Sequence, residues 1–298
     1  MSRYQNLVNR MRNGECILID GATGTEMERR GVPQLENAWN GGGALSHPDT
    51  LRQVHQDYIG HNAEIIISNT FATHYHALRD AGVADRFEAL NRRGVELAVE
   101  ARAEMDKPEV LVAGGISYWS WTGDHPPLDE LKPAATQQVE IMAAAGADLI
   151  MLEMMIDIDR MLEILEAAQS SGLPVWVGLT CSLDDKGVVT LRNGELLSAA
   201  LAAISDKQVD LVNIMHTEVE DIDACLEVVR ANWSQLVGVY AHSGEFADDK
   251  LNFTSTMSPG EYCASAKRWI DGGLNLIGGC CGIGPRHVQV LSETLYSN

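Results

Sequence analysis

Two adjacent cysteines framed by glycine, Gly278-Gly279-Cys280-Cys281-Gly282, are the residues of this chain best suited to chemistry. Neighbouring cysteines rarely bridge to each other, because the small ring they would close is strained. Glycine on both sides removes side-chain bulk, so the backbone can turn and bring both sulfurs to one point. Two thiolates aimed at one point are half of a tetrahedral zinc site, and soft sulfur ligands suit zinc. The bland alternative is a pair of small core residues, since free cysteine is usually buried.

Something must hold that pair in place, and the rest of the chain supplies a regular frame. Apolar runs end in polar residues eight times. Cys16–Asp20 is the first, followed by Ile65–Ile67 ending at Ser68-Asn69-Thr70-Phe71, and by Leu111–Ala113 ending at Ser117. Leu149–Leu152 ends at Glu153, and Val175–Leu179 ends at Thr180-Cys181. Val209–Val212 ends at Asn213, Leu236–Tyr240 is the seventh run, and Leu274–Ile277 leads into the cysteine pair. Helix-like stretches alternate with them at 49–62, 85–105, 133–145, 157–171, 195–205, 218–231 and 259–271, and a last helix follows Gly284-Pro285. Strands alternating with helices must be parallel and joined by crossovers. Runs apolar throughout are buried on both faces. The pattern predicts an α/β fold, a single (β/α)8 TIM-type barrel occupying residues 1–298 as one domain. An open doubly wound sheet is the competing fold.

Barrels of this kind place their active site at the C-terminal ends of the strands. Asp20 and Glu153 would then stand at the same mouth as the two thiols, where a substrate ammonium or another cation explains a pair of acids.

The bulk properties narrow the partners. A net charge of −20 opposes nucleic acid and anionic membranes. No apolar run is long enough to span a bilayer, and Met1–Asn13 lacks a signal-peptide core, so a cytoplasmic location is expected. Six cysteines, at 16, 181, 225, 263, 280 and 281, do not form a disulfide framework in a chain of this length.

With these residues assembled, the chain resembles the homocysteine S-methyltransferase family over nearly its whole length. Asp20-Gly21-Ala22-Thr23-Gly24-Thr25, Ala38-Trp39, His47-Pro48, Val54-His55 with Tyr58, Asn69-Thr70-Phe71, Glu153, Tyr240 with Ser243-Gly244-Glu245, and Gly278–Gly282 carry the resemblance. It implies a zinc enzyme in which homocysteine's thiolate attacks a methyl group to give methionine. Carried over by position, Cys280 and Cys281 become zinc ligands. Asp20 and Glu153 meet the substrate's amino group, and backbone near Gly21 and Ala22 surrounds its carboxylate. Asn69 and Tyr240 join the substrate-binding set.

One position departs from the family. Its third zinc cysteine follows an Asn at the end of the sixth strand, and here Asn213 is followed by Ile214, which cannot ligate. His216 is the first choice as replacement, and His242 and Cys181 are the others. A Cys2His site suits zinc with less thiolate charge on the metal.

The barrel consumes the chain and leaves no room for a cobalamin or folate module. A small onium donor is therefore expected, such as a betaine, S-methylmethionine or dimethylsulfoniopropionate. Trp39, with Trp119 and Trp121 in Tyr118-Trp119-Ser120-Trp121, offers aromatic faces that hold such cations by cation–π attraction. His74, Tyr75 and His76 either face the same mouth or lie exposed. The polar loop 242–257 has the length of a lid. The partners are thus a small-molecule thiol and an onium donor, and a homo-oligomer is compatible with the sequence. Two alternatives stay open: the same barrel with another acceptor, a corrinoid or a different thiol, and a catalytically silent binder of a methylated amine or amino acid, kept alive by Ile214.

Overall fold

A computed structural model describes residues 2–246, 253–254 and 256–296. Eight strands form one sheet: β1 Ile17–Leu18, β2 Ile65–Ile67, β3 Leu111–Ile116, β4 Leu149–Met155, β5 Val175–Leu179, β6 Leu211–Glu218, β7 Leu236–His242 and β8 Leu276–Ile277. The order runs β1-β8-β7-β6-β5-β4-β3-β2, and every pairing within it is parallel. A parallel bridge between Ile19 and Ile65 joins the two ends. The Glu64 N–H donates to the Leu18 carbonyl (2.8 Å) and the Asp20 N–H to that of Ile65 (3.0 Å). The sheet is therefore closed into the predicted (β/α)8 barrel.

The strand residues are buried on both faces, which is why they read as unbroken apolar runs. Helices cover the outside. Some start with an ordinary signal: Pro48 opens Pro48–Gly60, and Ser258 with Glu261 forms a capping box for Pro259–Asp271. The predicted helices are all present, shifted by a few residues at their ends.

Several elements are not expected from the sequence, among them the short helices Thr23–Arg29, Gly43–Ser46 and Tyr75–Asp80 and the two that follow. Helix Arg3–Arg12 buries Leu7, Val8 and Met11. Its Tyr4 hydroxyl donates to Asp210 just before β6 (2.7 Å) and accepts from the Trp176 indole near the start of β5 (3.0 Å), so the helix lies at the N-terminal ends of these strands. A hairpin, Cys181–Leu183 with Val189–Leu191, stands on the opposite end after β5.

Two strands are irregular where it matters. β4 gains a residue against β5 between Leu152 and Met155, and β6 gains one against β7 between Met215 and Glu218. Each bulge contains a non-glycine residue with positive φ, Met154 (59°) and His216 (45°). Bulges re-aim side chains and cluster near active sites. β6 thus continues past Asn213, where the apolar run stops, and carries His216 to the mouth. Of the loop 242–257 expected as a lid, residues 247–252 and 255 lie outside the described residues.

Candidate metal and substrate site

The mouth of the barrel holds a cavity of about 310 Å³ whose wall includes Cys280, Cys281, His216, Glu153, Tyr240, Asn69, Gly21, Ala22, Trp39, Trp119 and Trp121. Every residue predicted for the site, except Asp20, reaches this wall.

The sulfur corner is built by the turn after β8. Cys280 donates its N–H to the Ala241 carbonyl (2.8 Å), and the Cys281 carbonyl accepts from Ser243 (3.1 Å). The glycines are steric requirements. A Cβ on Gly278 would sit 2.2 Å from the Ile19 side chain, and one on Gly279 would sit 2.1 Å from Ile283. His216 arrives from the β6 bulge with Nδ1 3.5 Å from Cys280 Sγ. The ligand atoms of His216, Cys280 and Cys281 all lie within 4.8 Å of one another, the sole such cluster of three or more metal-ligating side chains among the described residues. Two sulfurs and an imidazole at this spacing fit a zinc-type cation. Without one, the neighbouring Cys281 thiol and burial hold the Cys280 thiol well above its usual range, opposed by His216. A bound cation would remove that penalty.

The other candidates for third ligand do other work. Cys181 is buried against Cys225, which with burial pushes its thiol up. His242 stacks on His216, ring centroids 4.4 Å apart, and pairs through Nε2 with Glu218 (2.9 Å). Ile214 is fully buried and is not part of the cavity wall.

The acid corner lies across the mouth. Glu153 is buried, and burial pushes its carboxyl up to about 8. Gly115 makes room for it, since a Cβ there would meet Glu153 Oε2 at 2.4 Å. Asp20 is buried behind the wall rather than on it, and its Oδ2 accepts from the Ile67 N–H (2.7 Å). Burial holds Asp20 well above its usual range despite that bond, and Glu153 adds to the effect. Such a pair does not ionise together in a dry site without a cation beside it. The Tyr240 hydroxyl is buried without a hydrogen-bond partner, and burial, Glu153 and Cys280 all push it up.

Beside these acids, Gly21 and Ala22 lead into helix Thr23–Arg29, which has no side-chain cap. The Ala22 N–H is already donated to the Ile283 carbonyl (2.9 Å), so Ala22 itself has no amide to offer a carboxylate. Gly21 serves close approach: a Cβ there would meet the Ile283 oxygen at 2.3 Å. Asn69 Nδ2 is likewise engaged, by the Asn40 carbonyl (2.9 Å), and Asn40 in turn donates to Gly24 (2.8 Å). These bonds fix the segment that carries Trp39.

The rim is aromatic. The Trp39 ring packs on Gly24, and Trp121 meets Phe71 edge-on at 6.1 Å. Trp119 is not a free face, because the Arg192 guanidinium lies 5.6 Å from its ring centroid. Arg192 is the main residue that sequence reasoning missed. It follows the hairpin, whose signal was a turn, Asp184-Asp185-Lys186-Gly187, between alternating residues. Tyr118 turns away from the mouth and accepts from the N–H groups of Ile156 (2.8 Å) and Asp157 (2.9 Å). His74 and His76 are buried, Tyr75 is exposed, and His74 Nε2 lies 2.8 Å from the Trp119 carbonyl.

A closed barrel with two thiols, an imidazole and buried acids at the C-terminal ends of its strands is the frame of a barrel enzyme with a candidate metal site. Comparison with known proteins sharpens this. The model of the homocysteine S-methyltransferase family matches residues 17–295, and the chain belongs to that family. Homocysteine S-methyltransferase 1 of Zea mays is 28% identical over 95% of each chain. Selenocysteine Se-methyltransferase of Brassica oleracea var. italica is 26% identical over 95% of this chain and 90% of that protein. The metallated form of the homocysteine methyltransferase MmuM from Escherichia coli shares the fold, with a TM-score of 0.81 at 22% identity, covering 98% of this chain and 100% of that one.

Proposed function

We propose that this enzyme moves a methyl group from a small onium donor to the thiol of homocysteine, giving methionine, with zinc held by Cys280, Cys281 and His216. The observation that carries the reading is the meeting of those three ligand atoms within 4.8 Å on the wall of a cavity that also holds Glu153. Zinc, when bound, would make the substrate's thiol available as a thiolate at neutral pH.

The remaining roles belong to the chain. Glu153 takes the ammonium of homocysteine, which gives its carboxylate the cation that burial otherwise denies it. Asp20 supports it from behind through field rather than contact. The substrate carboxylate lies toward the uncapped start of helix Thr23–Arg29, whose first amides and dipole favour an anion. The buried Tyr240 hydroxyl donates to a substrate atom, which satisfies its missing hydrogen bond. Held this way, the sulfur points toward the aromatic rim, and the donor's methyl approaches from Trp39 and Trp121. In the transfer the new S–CH3 bond forms as the bond from methyl carbon to onium nitrogen or sulfur breaks. The electron pair stays with the onium atom, which leaves neutral, so no protein acid is required.

The test combines metal analysis with turnover. Protein purified without chelator should carry about one zinc per chain, as three-ligand thiolate sites retain metal. It should form methionine from homocysteine with at least one donor of an onium panel. Less than about 0.2 zinc per chain, unchanged in Cys280→Ser, would defeat the metal reading. A metal-loaded protein that uses none of the donors would defeat the reaction.

A further inference from the structure

Arg192 has no place in the mechanism above, yet it stands on the wall of the same cavity. Its backbone is anchored by its N–H to the Thr180 carbonyl (3.0 Å), at the end of β5. Its side chain is solvent-exposed and lies over Trp119. Among the described residues its guanidinium makes no ion pair, in a chain where acids outnumber Lys and Arg by 42 to 22. Most arginines here are tied to a carboxylate, as Arg102 is to Asp148 and Arg160 to Asp157. A cation held at the rim of an acidic protein's cavity, stacked on a ring and left without a partner, is poised for an anion from outside.

We infer that Arg192, braced on Trp119, binds a carboxylate of the methyl donor and selects oniums that carry one over bare oniums. The inference rests on the reading of this cavity as a methyl-transfer site. Depth assigns the carboxylate to the donor rather than to homocysteine. Glu153, Tyr240 and Cys281, which would serve homocysteine, are buried, whereas Arg192 is at the exposed edge. The donor must come from that edge, because the floor below is filled by barrel side chains. Charge supports the same choice. An Arg at the rim repels a bare onium, and a carboxylate a few bonds from the onium centre turns that repulsion into an attraction. Trp39 and Trp121 are left to face the onium itself, with Arg192 on the other end of the molecule.

The experiment measures binding by calorimetry to the zinc-loaded protein, using two matched pairs: glycine betaine against tetramethylammonium, and dimethylsulfoniopropionate against trimethylsulfonium. The carboxylate-bearing member of at least one pair should bind about tenfold more tightly, the order expected of one charge-assisted hydrogen bond. Arg192→Gln should abolish that preference, and Arg192→Lys should restore part of it. In turnover, Arg192→Gln should raise the donor's KM about tenfold and leave the KM of homocysteine within about twofold. Equal binding within both pairs, equal weakening of both members by Arg192→Gln, a rise confined to the KM of homocysteine, or no binding of any of the four would each overturn the inference. Loss of the reaction itself reads out separately, as zinc-loaded protein that shows the carboxylate preference but makes no methionine.

Discussion

Cys280, Cys281, His216 and Glu153 stand at the ends of β8, β6 and β4, where neighbouring strands hold the backbone on both sides. Trp39, Trp119, Trp121 and Arg192 stand on connections, and each is positioned by a contact with a residue far off in sequence. The first group forms the floor of the mouth and the second its rim. The floor concentrates buried polar cost: acids beside each other and a tyrosine hydroxyl without a partner, with positive φ at Met154 and His216. The surrounding barrel over-determines the backbone and so can hold that strain. The rim is made of packed aromatic faces and a stacked cation, with one backbone strain of its own, the positive φ at Trp39 (42°). Chemistry on the floor and selectivity on the rim is the division this suggests.

The largest effect should come from breaking the floor. Cys280→Ser and His216→Ala should each lower zinc content below about 0.2 per chain and methyl transfer by more than about 100-fold, since even outer-sphere changes at metal sites cost 10–100-fold. Arg192→Gln should keep its zinc. Adding Ile214→Cys to His216→Ala should not restore metal, because residue 214 is buried off the cavity wall. Full zinc in His216→Ala, measured by plasma emission, would remove His216 from the ligand set.

Glu153→Gln separates function from stability on the same floor. The Glu153 carboxyl titrates at about 8 in the fold and at its ordinary 4.5 in the unfolded chain. The folded state therefore holds the proton more tightly, and stability falls as pH rises from 4.5 to about 8. At pH 7 this costs about 3 kcal/mol. Gln does not titrate, so the variant should melt higher than the parent at pH 7–8 and converge with it near pH 4.5. Its affinity for homocysteine should drop strongly. A variant less stable than the parent at pH 8 would contradict the view that the floor stores strain.

The same division explains what could be read in the sequence. The barrel was legible because eight buried strands write eight apolar runs, and strand ends then named Glu153 and the cysteine pair. His216 was reachable only by noticing that Ile214 cannot ligate; no local pattern announces the bulge that turns it inward. Asp20 was placed at the right strand end, but its bond to the Ile67 N–H depends on β2, 47 residues away. Resemblance puts Ala22 and Asn69 among substrate contacts, but the Ala22 N–H and Asn69 Nδ2 are engaged by Ile283 and Asn40. Arg192 was hidden because its contact with Trp119 joins two loops after different strands.

At the rim, Gly24→Ala is a contained perturbation. The new methyl would meet Trp39 ring atoms at 2.2–2.6 Å, so the indole must move. Overpacking of this kind costs about 1–3 kcal/mol. Zinc content should stay at the parental level, while the donor's KM rises several-fold more than that of homocysteine. Parallel loss of zinc would show that rim and floor are mechanically one unit.

The smallest effect is expected at His74, beneath the rim. Its Nδ1 accepts from the Ala77 N–H, capping helix Tyr75–Asp80, which leaves Nε2 to donate its hydrogen to the Trp119 carbonyl (2.8 Å). The ring is thereby a fixed neutral tautomer. Burial pushes it down to about 4, from an ordinary 6.5. Its contribution to stability is complete above pH 6.5 and is lost as pH falls through about 4, because the unfolded chain takes up the proton first. His55, buried in helix Pro48–Gly60, is pushed down to about 4 as well and shares this acid limb. His74→Gln can still donate to the Trp119 carbonyl but does not titrate. At pH 7 it should lie within about 1 kcal/mol of the parent, the size of one net hydrogen bond. Between pH 6.5 and 4 its unfolding free energy, from urea titrations, should decline less steeply than the parent's, the remaining pH dependence coming from the other buried groups, His55, His76, His242 and His287 in the same sense and Glu153 in the opposite one. The donor's KM should rise by no more than about twofold, since Trp119 also rests against His125 and Arg192. A tenfold rise would place the control of Trp119 in His74 alone and make the rim as tightly specified as the floor.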